Sequence, residues 1–170
     1  IQDVALAFEP GERDILHRKP RPTGESIFNR IMLERTILSA LIMGTVGFAV
    51  FRHLLEIGWS EYSARNALLL LMVLFENVHI FNCRSETKSA FAISLRKSPI
   101  LMIGMLVAFF VHLTMMYWPW GQTILSTEPV DAQTWVYLIG CALSVLVVME
   151  LHKLLRRWFG QSHRQHPQSA

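Results

Sequence analysis

Glu76 is the residue whose type and position demand a chemical reason. It interrupts the run MVLFENVHIFNCRSETKSAF (residues 72–91), whose apolar part continues until Arg84. A carboxylate near the middle of a hydrocarbon slab costs roughly 2.5–3.5 kcal/mol on insertion scales, so such groups normally face a bundle interior and mark ion or proton pathways. His79 follows three residues later on the same helical face, which reads as E-x-x-H. In helical bundles that spacing holds iron or manganese only with further carboxylates and a second copy on other helices. No second copy occurs here, so an interaction between Glu76 and His79, or a polar contact to a neighbouring helix, is the simpler expectation. His112 lies in another apolar run, where a lone histidine more often bonds across helices than binds a ligand. A relay from Glu76 through His79 to His112 is the proton-coupled alternative.

The elements that carry these residues are legible from charge and length. The chain is 52% hydrophobic and only 17% charged, against roughly 25% charge in soluble domains. Residues 100–118 form nineteen consecutive positions without Asp, Glu, Lys or Arg, a membrane-spanning length. Residues 36–51 and 134–149 each give sixteen uncharged positions and reach spanning length with snorkelling flanks such as Arg52 and His152. The run over 66–83 spans only if it accepts Glu76. The expected fold is an all-α membrane protein, a bundle of four transmembrane helices.

The cations set the expected orientation. Fourteen of the sixteen Lys and Arg residues lie before the first run, between the second and third, or after the last. By the positive-inside rule both termini and the middle connection are expected to be cytoplasmic. The resulting division is a connecting loop over 1–35, a four-helix transmembrane subdomain over 36–152 and a basic cytoplasmic tail over 153–170. The outer loops are then 58–65 and 119–133, with Tyr117, Trp118, Trp120 and Trp135 as an aromatic belt. Residues 161–170 read as disordered from their polar composition.

Other features narrow the function. The chain starts at Ile1 and residues 1–8 lack the charged start, apolar centre and cleavage site of a signal peptide, so it reads as an excised piece. Cys83 and Cys141 match no metal or disulfide pattern, and no phosphate-binding loop, HExxH or nucleophile elbow occurs. The charge of +3 is explained by the basic flanks and does not imply nucleic-acid binding. Pro10, Pro20 and Pro22 make a continuous helix over 9–35 improbable. That stretch is expected to be a solvated loop near anionic headgroups, or a stiff connector in which Ser26 caps a short amphipathic helix with Ile27, Phe28, Ile31 and Met32 on one face. Ser39, Ala40, Gly44 and Gly47 form a small-residue strip suited to helix contact. Glu150 with Lys153, Arg156 and Arg157 reads as an interfacial ion-pair cluster, not a catalytic one.

Three segments resemble P-type cation-transporting ATPases. ALAFEPGERDILHRKPRP is similar to that family's cytoplasmic connection after the sixth transmembrane helix, with Gly11 where a second proline recurs. LFENVHIFNCRSETKSAF resembles its eighth helix and following loop, with Asn82 near the helix end, and ELHKLLRRW resembles the close of its tenth. The resemblance implies that residues 1–170 are helices seven to ten, closest to the calcium-pump-like group. It implies a support subdomain that braces the transport helices of an ATP-driven cation pump, with calcium the first candidate among cations. It also implies that Glu76 gives a side-chain oxygen to the ion; the same helix offers only Asn77, and Asn82 nearly two turns away, as further oxygens, so that Glu76, Asn77, His79 and Asn82 are the ion-pathway candidates. Calcium takes six to eight oxygens, so the remaining ligands would come from the rest of the pump. The DKTG phosphorylation motif is absent. No catalytic residue and no resident cofactor are therefore expected in this segment, while the parent chain would use Mg-ATP. The implied partners are the parent's other transmembrane and cytoplasmic domains and the lipid bilayer, and the implied location is a multi-pass position in a membrane, with loop lengths like those of bacterial inner-membrane members. The alternative from the residues alone is an independent four-helix ion channel or proton-coupled carrier.

Overall fold

The computed structural model describes residues 2–8, 24, 29–84, 89–92 and 98–162. A short helix α1 (Gln2–Ala7) precedes α2 (Arg30–Glu56), α3 (Glu61–Cys83), α4 (Pro99–Tyr117), α5 (Pro119–Leu125) and α6 (Ala132–Ser162), with one 3-10 turn at Ala90–Ala92. No strand occurs among the described residues. Helices α2, α3, α4 and the Ala132–Trp158 part of α6 are each long and apolar enough to cross a membrane, as the all-α, four-span reading expects. Helices suit this setting because they satisfy their own backbone hydrogen bonds.

Local chemistry sets the helix ends. Asn29 caps α2 by accepting from the Met32 amide at 2.8 Å, and Ser60 caps α3 by accepting from the Ser63 amide at 3.1 Å. Between them Gly58 turns the chain at φ 91°, a left-handed geometry that glycine adopts without a Cβ clash. Pro99 and Pro119 open α4 and α5, where the missing N–H would have had no helical partner. Ile31 and Met32 belong to α2 itself, so they do not form a separate short helix; Ser26, Ile27 and Phe28 lie outside the described residues, as do Pro10, Pro20 and Pro22. α6 continues to Ser162, past the polar boundary expected from composition, and residues 163–170 lie outside the described set.

The core lies where α3 meets α2 and α6. Leu70, Leu71 and Phe75 of α3 are fully buried together with Leu138 and Val145 of α6, and Val50 and Leu54 of α2 close the cluster. α3 is the central helix, with 44% of its apolar window buried against 11% for α4. The outward side chains of α4, Ile103 and Phe110 among them, are exposed, as expected for surface that meets lipid tails. A smaller cluster joins Ala5 of α1, Ile80 of α3 and Leu101 of α4.

The small-residue strip divides. Ser39 and Gly47 are buried, and a Cβ on Gly47 would come within 2.7 Å of Met72 Cε on α3. Ala40 and Gly44 are exposed, although Ala40 stands seven residues, and thus nearly in line, before the buried Gly47. The loop after α4 also departs from an irregular connection, since it contains α5. Trp135 is half-buried and packs edge-on to Phe109 with ring centroids 6.1 Å apart, while Tyr117, Trp118 and Trp120 remain exposed.

Candidate functional site

α3 carries all four sequence-derived site residues, and the structure sends them in different directions. At about 100° per residue, Ile80 lies about 40° to one side of Glu76, while His79 and Asn82 lie about 60° and 120° to the other. Glu76 is exposed, and among the described residues its carboxylate forms no hydrogen bond or ion pair. Asn77 turns back along its own helix and donates to the Val73 carbonyl at 2.8 Å. Glu76 and His79 do not pair as expected, because His79 turns toward α2 and leaves its Nδ1 buried without a partner.

Glu76 belongs to a longer exposed stripe. Tyr62, Leu69, Glu76 and Cys83 recur at seven-residue spacing along α3, and all four are exposed. That repeat is the spacing of a helix-packing seam. α2 flanks the stripe on the side of His79, and Ile80 in the α1–α4 cluster bounds it on the other.

His79 belongs instead to a polar cleft of about 210 Å³ between α2, α3 and α6, lined by Arg35, Thr36, Ser39, His79, Cys83 and Met149 among others, and Asn82 lies buried beside it. Arg35 reaches across from α2 and donates from Nη2 to the Asn82 carbonyl at 2.5 Å. Arg35 Nε and both side-chain polar atoms of Asn82 are buried without partners. Around the cleft Lys153 donates to Glu150 at 3.1 Å, and Glu150 also accepts from the Ala90 amide at 2.9 Å. Arg156 pairs with Glu34 of α2 and so leaves the expected Glu150 cluster, joining the start of α2 to the end of α6. Arg35 counted in the sequence only as a flanking cation; its place at the edge of the first apolar run was the available signal.

His112 does not meet His79. It lies thirteen residues into α4 from Pro99, whereas His79 is four residues from the end of antiparallel α3, an axial offset of about 14 Å at 1.5 Å per residue. Direct proton transfer from Glu76 through His79 to His112 has no contiguous path in this arrangement.

The opposite end of the bundle is closed by hydrogen bonds. Asn66, buried on α3, donates to the Glu128 carbonyl at 2.8 Å and accepts from the Glu128 amide at 3.2 Å. Thr127 Oγ1 donates to the Met115 carbonyl at 3.1 Å, and Tyr117 donates to the Val130 carbonyl at 3.2 Å. Asp131 caps α6 by accepting from the Thr134 hydroxyl at 2.6 Å and the Thr134 amide at 3.1 Å. Those bonds, the hydroxyl first, hold its carboxyl below the usual carboxylate range.

Among the described residues no group of three His, Cys, Asp or Glu side chains could hold a metal ion. What the geometry offers is one outward intramembrane carboxylate on a helix-packing stripe and, separately, a polar cleft at the basic end. The fold and site define a four-helix membrane bundle with a carboxylate turned out of its own core.

Residues 1–155 match the family described as cation transporting ATPase, C-terminus, and the chain belongs to that family. It is similar to calcium-transporting ATPase type 2C member 2 of Mus musculus, with 30% identity over 159 residues, covering 93% of this chain and 17% of the relative. It is also similar to calcium-transporting ATPase 1 of Schizosaccharomyces pombe, with 30% identity over 155 residues and coverages of 90% and 17%. Probable cation-transporting ATPase F of Mycobacterium tuberculosis is 28% identical over 154 residues, with coverages of 91% and 17%. The chain thus spans 17% of the length of these relatives.

Proposed function

We propose that this chain is the C-terminal membrane part of an ATP-driven cation pump, that it braces transport helices supplied by the rest of the protein, and that Glu76 faces the ion path between them. The observation that carries the reading is the exposed carboxylate within the Tyr62–Leu69–Glu76–Cys83 stripe. A charged group does not face lipid when a bundle interior or aqueous cavity is available, so a helix seam containing it calls for a polar, protein-lined partner. Family membership supports the identity of that partner as the pump's own transport helices.

Calcium is the proposed cargo, since two of the similar proteins are named calcium-transporting ATPases. Glu76 would supply one hard oxygen, and the transport helices the rest of the six to eight that calcium takes. Asn77 is tied to its own helix through Nδ2, so any contribution to the ion would come from Oδ1. His79 and Asn82 would act through packing on the other side of α3. Mg-ATP would act in parts of the protein outside these residues. The distribution of Lys and Arg supports cytoplasmic termini, and the short outer loops fit a bacterial inner membrane. An independent channel loses support because Glu76, His79 and His112 do not converge.

The test is ion-dependent phosphoenzyme formation by the full-length protein, comparing wild type with Glu76→Gln across calcium, sodium and potassium. Loss of apparent affinity for one cation alone, by about tenfold or more for a lost charged ligand, is expected. Unchanged ion dependence reduces the segment to a brace, and absence of any phosphoenzyme removes the pump reading.

A further inference from the structure

The polar cleft at the basic end touches the Tyr62–Cys83 stripe only at Cys83 and does not include Glu76. Three features of it point the same way. First, Arg35 Nε and His79 Nδ1, both from residues lining the cleft, are buried without hydrogen-bond partners. Asn82, whose carbonyl holds the Arg35 guanidinium, is fully buried and leaves both its amide atoms unpaired. Buried polar groups in folded proteins are normally satisfied by protein or by an ordered guest, and leaving one unmade costs about 1–3 kcal/mol. These atoms are closed even to water and form a polar wall behind the cleft, while Arg35 Nη1 and His79 Nε2 are the nitrogens on that wall that a guest can reach.

Second, among the described residues the charge is unbalanced in one direction. Arg30 and Arg156 share the single carboxylate of Glu34, and Lys153 takes Glu150. Arg35 is left with a backbone carbonyl, a dipole without countercharge. Third, the position suits a headgroup. Arg35 lies near the start of α2 and His79 near the end of α3, the level at which an apolar span meets its interface.

We propose that the cleft between α2, α3 and α6 binds an anionic phosphate group, with Arg35 Nη1 and His79, in the tautomer carrying its proton on Nε2, as donors. A guanidinium matches phosphate through directed N–H bonds that a lysine ammonium does not reproduce. A volume of about 210 Å³ admits the phosphate with a few waters, at about 30 Å³ each. Two sources share this chemistry: the headgroup of an acidic phospholipid, and free phosphate from the aqueous side.

The experiment uses the full-length protein in detergent with phosphatidylglycerol, phosphatidylcholine or inorganic phosphate. Native mass spectrometry reads retained lipid, and a thermal shift reads phosphate. Wild type is expected to retain phosphatidylglycerol over phosphatidylcholine by about fivefold, one basic residue's worth at a membrane surface. Arg35→Gln is expected to fall toward parity, while Arg35→Lys, which keeps the charge and guards against a folding defect, is expected to retain most of the preference. Arg30→Gln is the control: its side chain is 90% exposed and bonded to Glu34, so the preference should persist. No lipid preference but a phosphate-induced shift that depends on Arg35 assigns the same site to a soluble anion. Lipid retention and phosphate response that are both insensitive to Arg35 overturn the proposal and leave the cleft to water.

Discussion

Glu76 and Ile80 stand one turn apart on the same side of α3, yet Ile80 is 4% exposed while Glu76 is open to its surroundings. The difference lies in neighbours: Ile80 joins Ala5 of α1 and Leu101 of α4, and the cluster stops short of the turn that carries Glu76. Under the proposed function the transport helices of the longer protein would cover the rest of the stripe.

Enlarging a stripe residue should therefore disturb the full-length protein far more than enlarging a lipid-facing one. Leu69→Trp is expected to destabilise the assembled protein by about 1–3 kcal/mol, the usual penalty of overpacking, and to lower transport. Val147→Trp on α6, where the native side chain is 64% exposed, is expected to be neutral. Thermal unfolding in nanodiscs with cation uptake compares them. Equal behaviour of the two variants would mean that lipid, not protein, covers the Leu69 face.

Gly121 offers a sharp steric test at the other end. A Cβ there would fall 2.4 Å from the Met115 carbonyl oxygen and 2.6 Å from Met115 Cα. Backbone atoms have no rotamer by which to retreat, so Gly121→Ala should force α5 away from the end of α4. A loss of about 1–3 kcal/mol is expected. Gly140→Ala on α6 meets nothing within 4 Å and should be neutral or slightly stabilising through helix propensity. The two melting temperatures, measured side by side, decide it.

The spans were legible because a membrane helix writes itself as an uncharged run, and Leu70, Leu71 and Phe75 fall in such a run. Their neighbours were not legible. α4 is the most apolar of the four spans and α3 the least, with mean hydropathy 2.1 against 1.5, yet α3 is central and α4 peripheral; apolarity alone does not say which helix others surround. The same limit applied to the site. Glu76 stood out as a charge in an apolar run, but the separation of His79 from it depends on where α2 packs. α5 was missed because seven residues carry too little periodicity, although Pro119 at its first position was a start signal. The Ser39–Gly47 strip failed by half because small residues mark possible contact on any face.

Asn66 should prove a structural anchor. It is 4% exposed and exchanges two hydrogen bonds with the backbone of Glu128. Asn66→Ala strands a backbone amide and carbonyl at the closed end, with an expected loss of about 1–3 kcal/mol. Asn66→Asp keeps the acceptor for the Glu128 amide but sets a carboxylate against its carbonyl, and should be at least as damaging. Hydrogen exchange at the Glu128 amide reads the effect locally. Unchanged protection in both variants would show that the loop is held by Thr127 and Tyr117 instead.

Asp131 gives the bundle an acid-sensitive end, and the sign follows from its bonds. The Thr134 hydroxyl and amide favour the charged carboxylate, so its folded pKa lies below the ordinary value of 3.8. Such a group stabilises the fold at pH above its unfolded pKa, and the contribution is lost as pH falls through the folded value. Wild type should therefore lose protection at the start of α6 on acidification below about pH 4, while neutral pH leaves the cap intact. Thr134→Ala removes the hydroxyl, the largest source of the shift, and should weaken this acid step while leaving the amide bond. Asp131→Ala, which removes the cap, should abolish the step and fray the first turn of α6 at every pH. Amide exchange at Thr134 and Trp135 between pH 3 and pH 6, with the three proteins compared, would reveal an unaltered acid step in Asp131→Ala if another group were responsible.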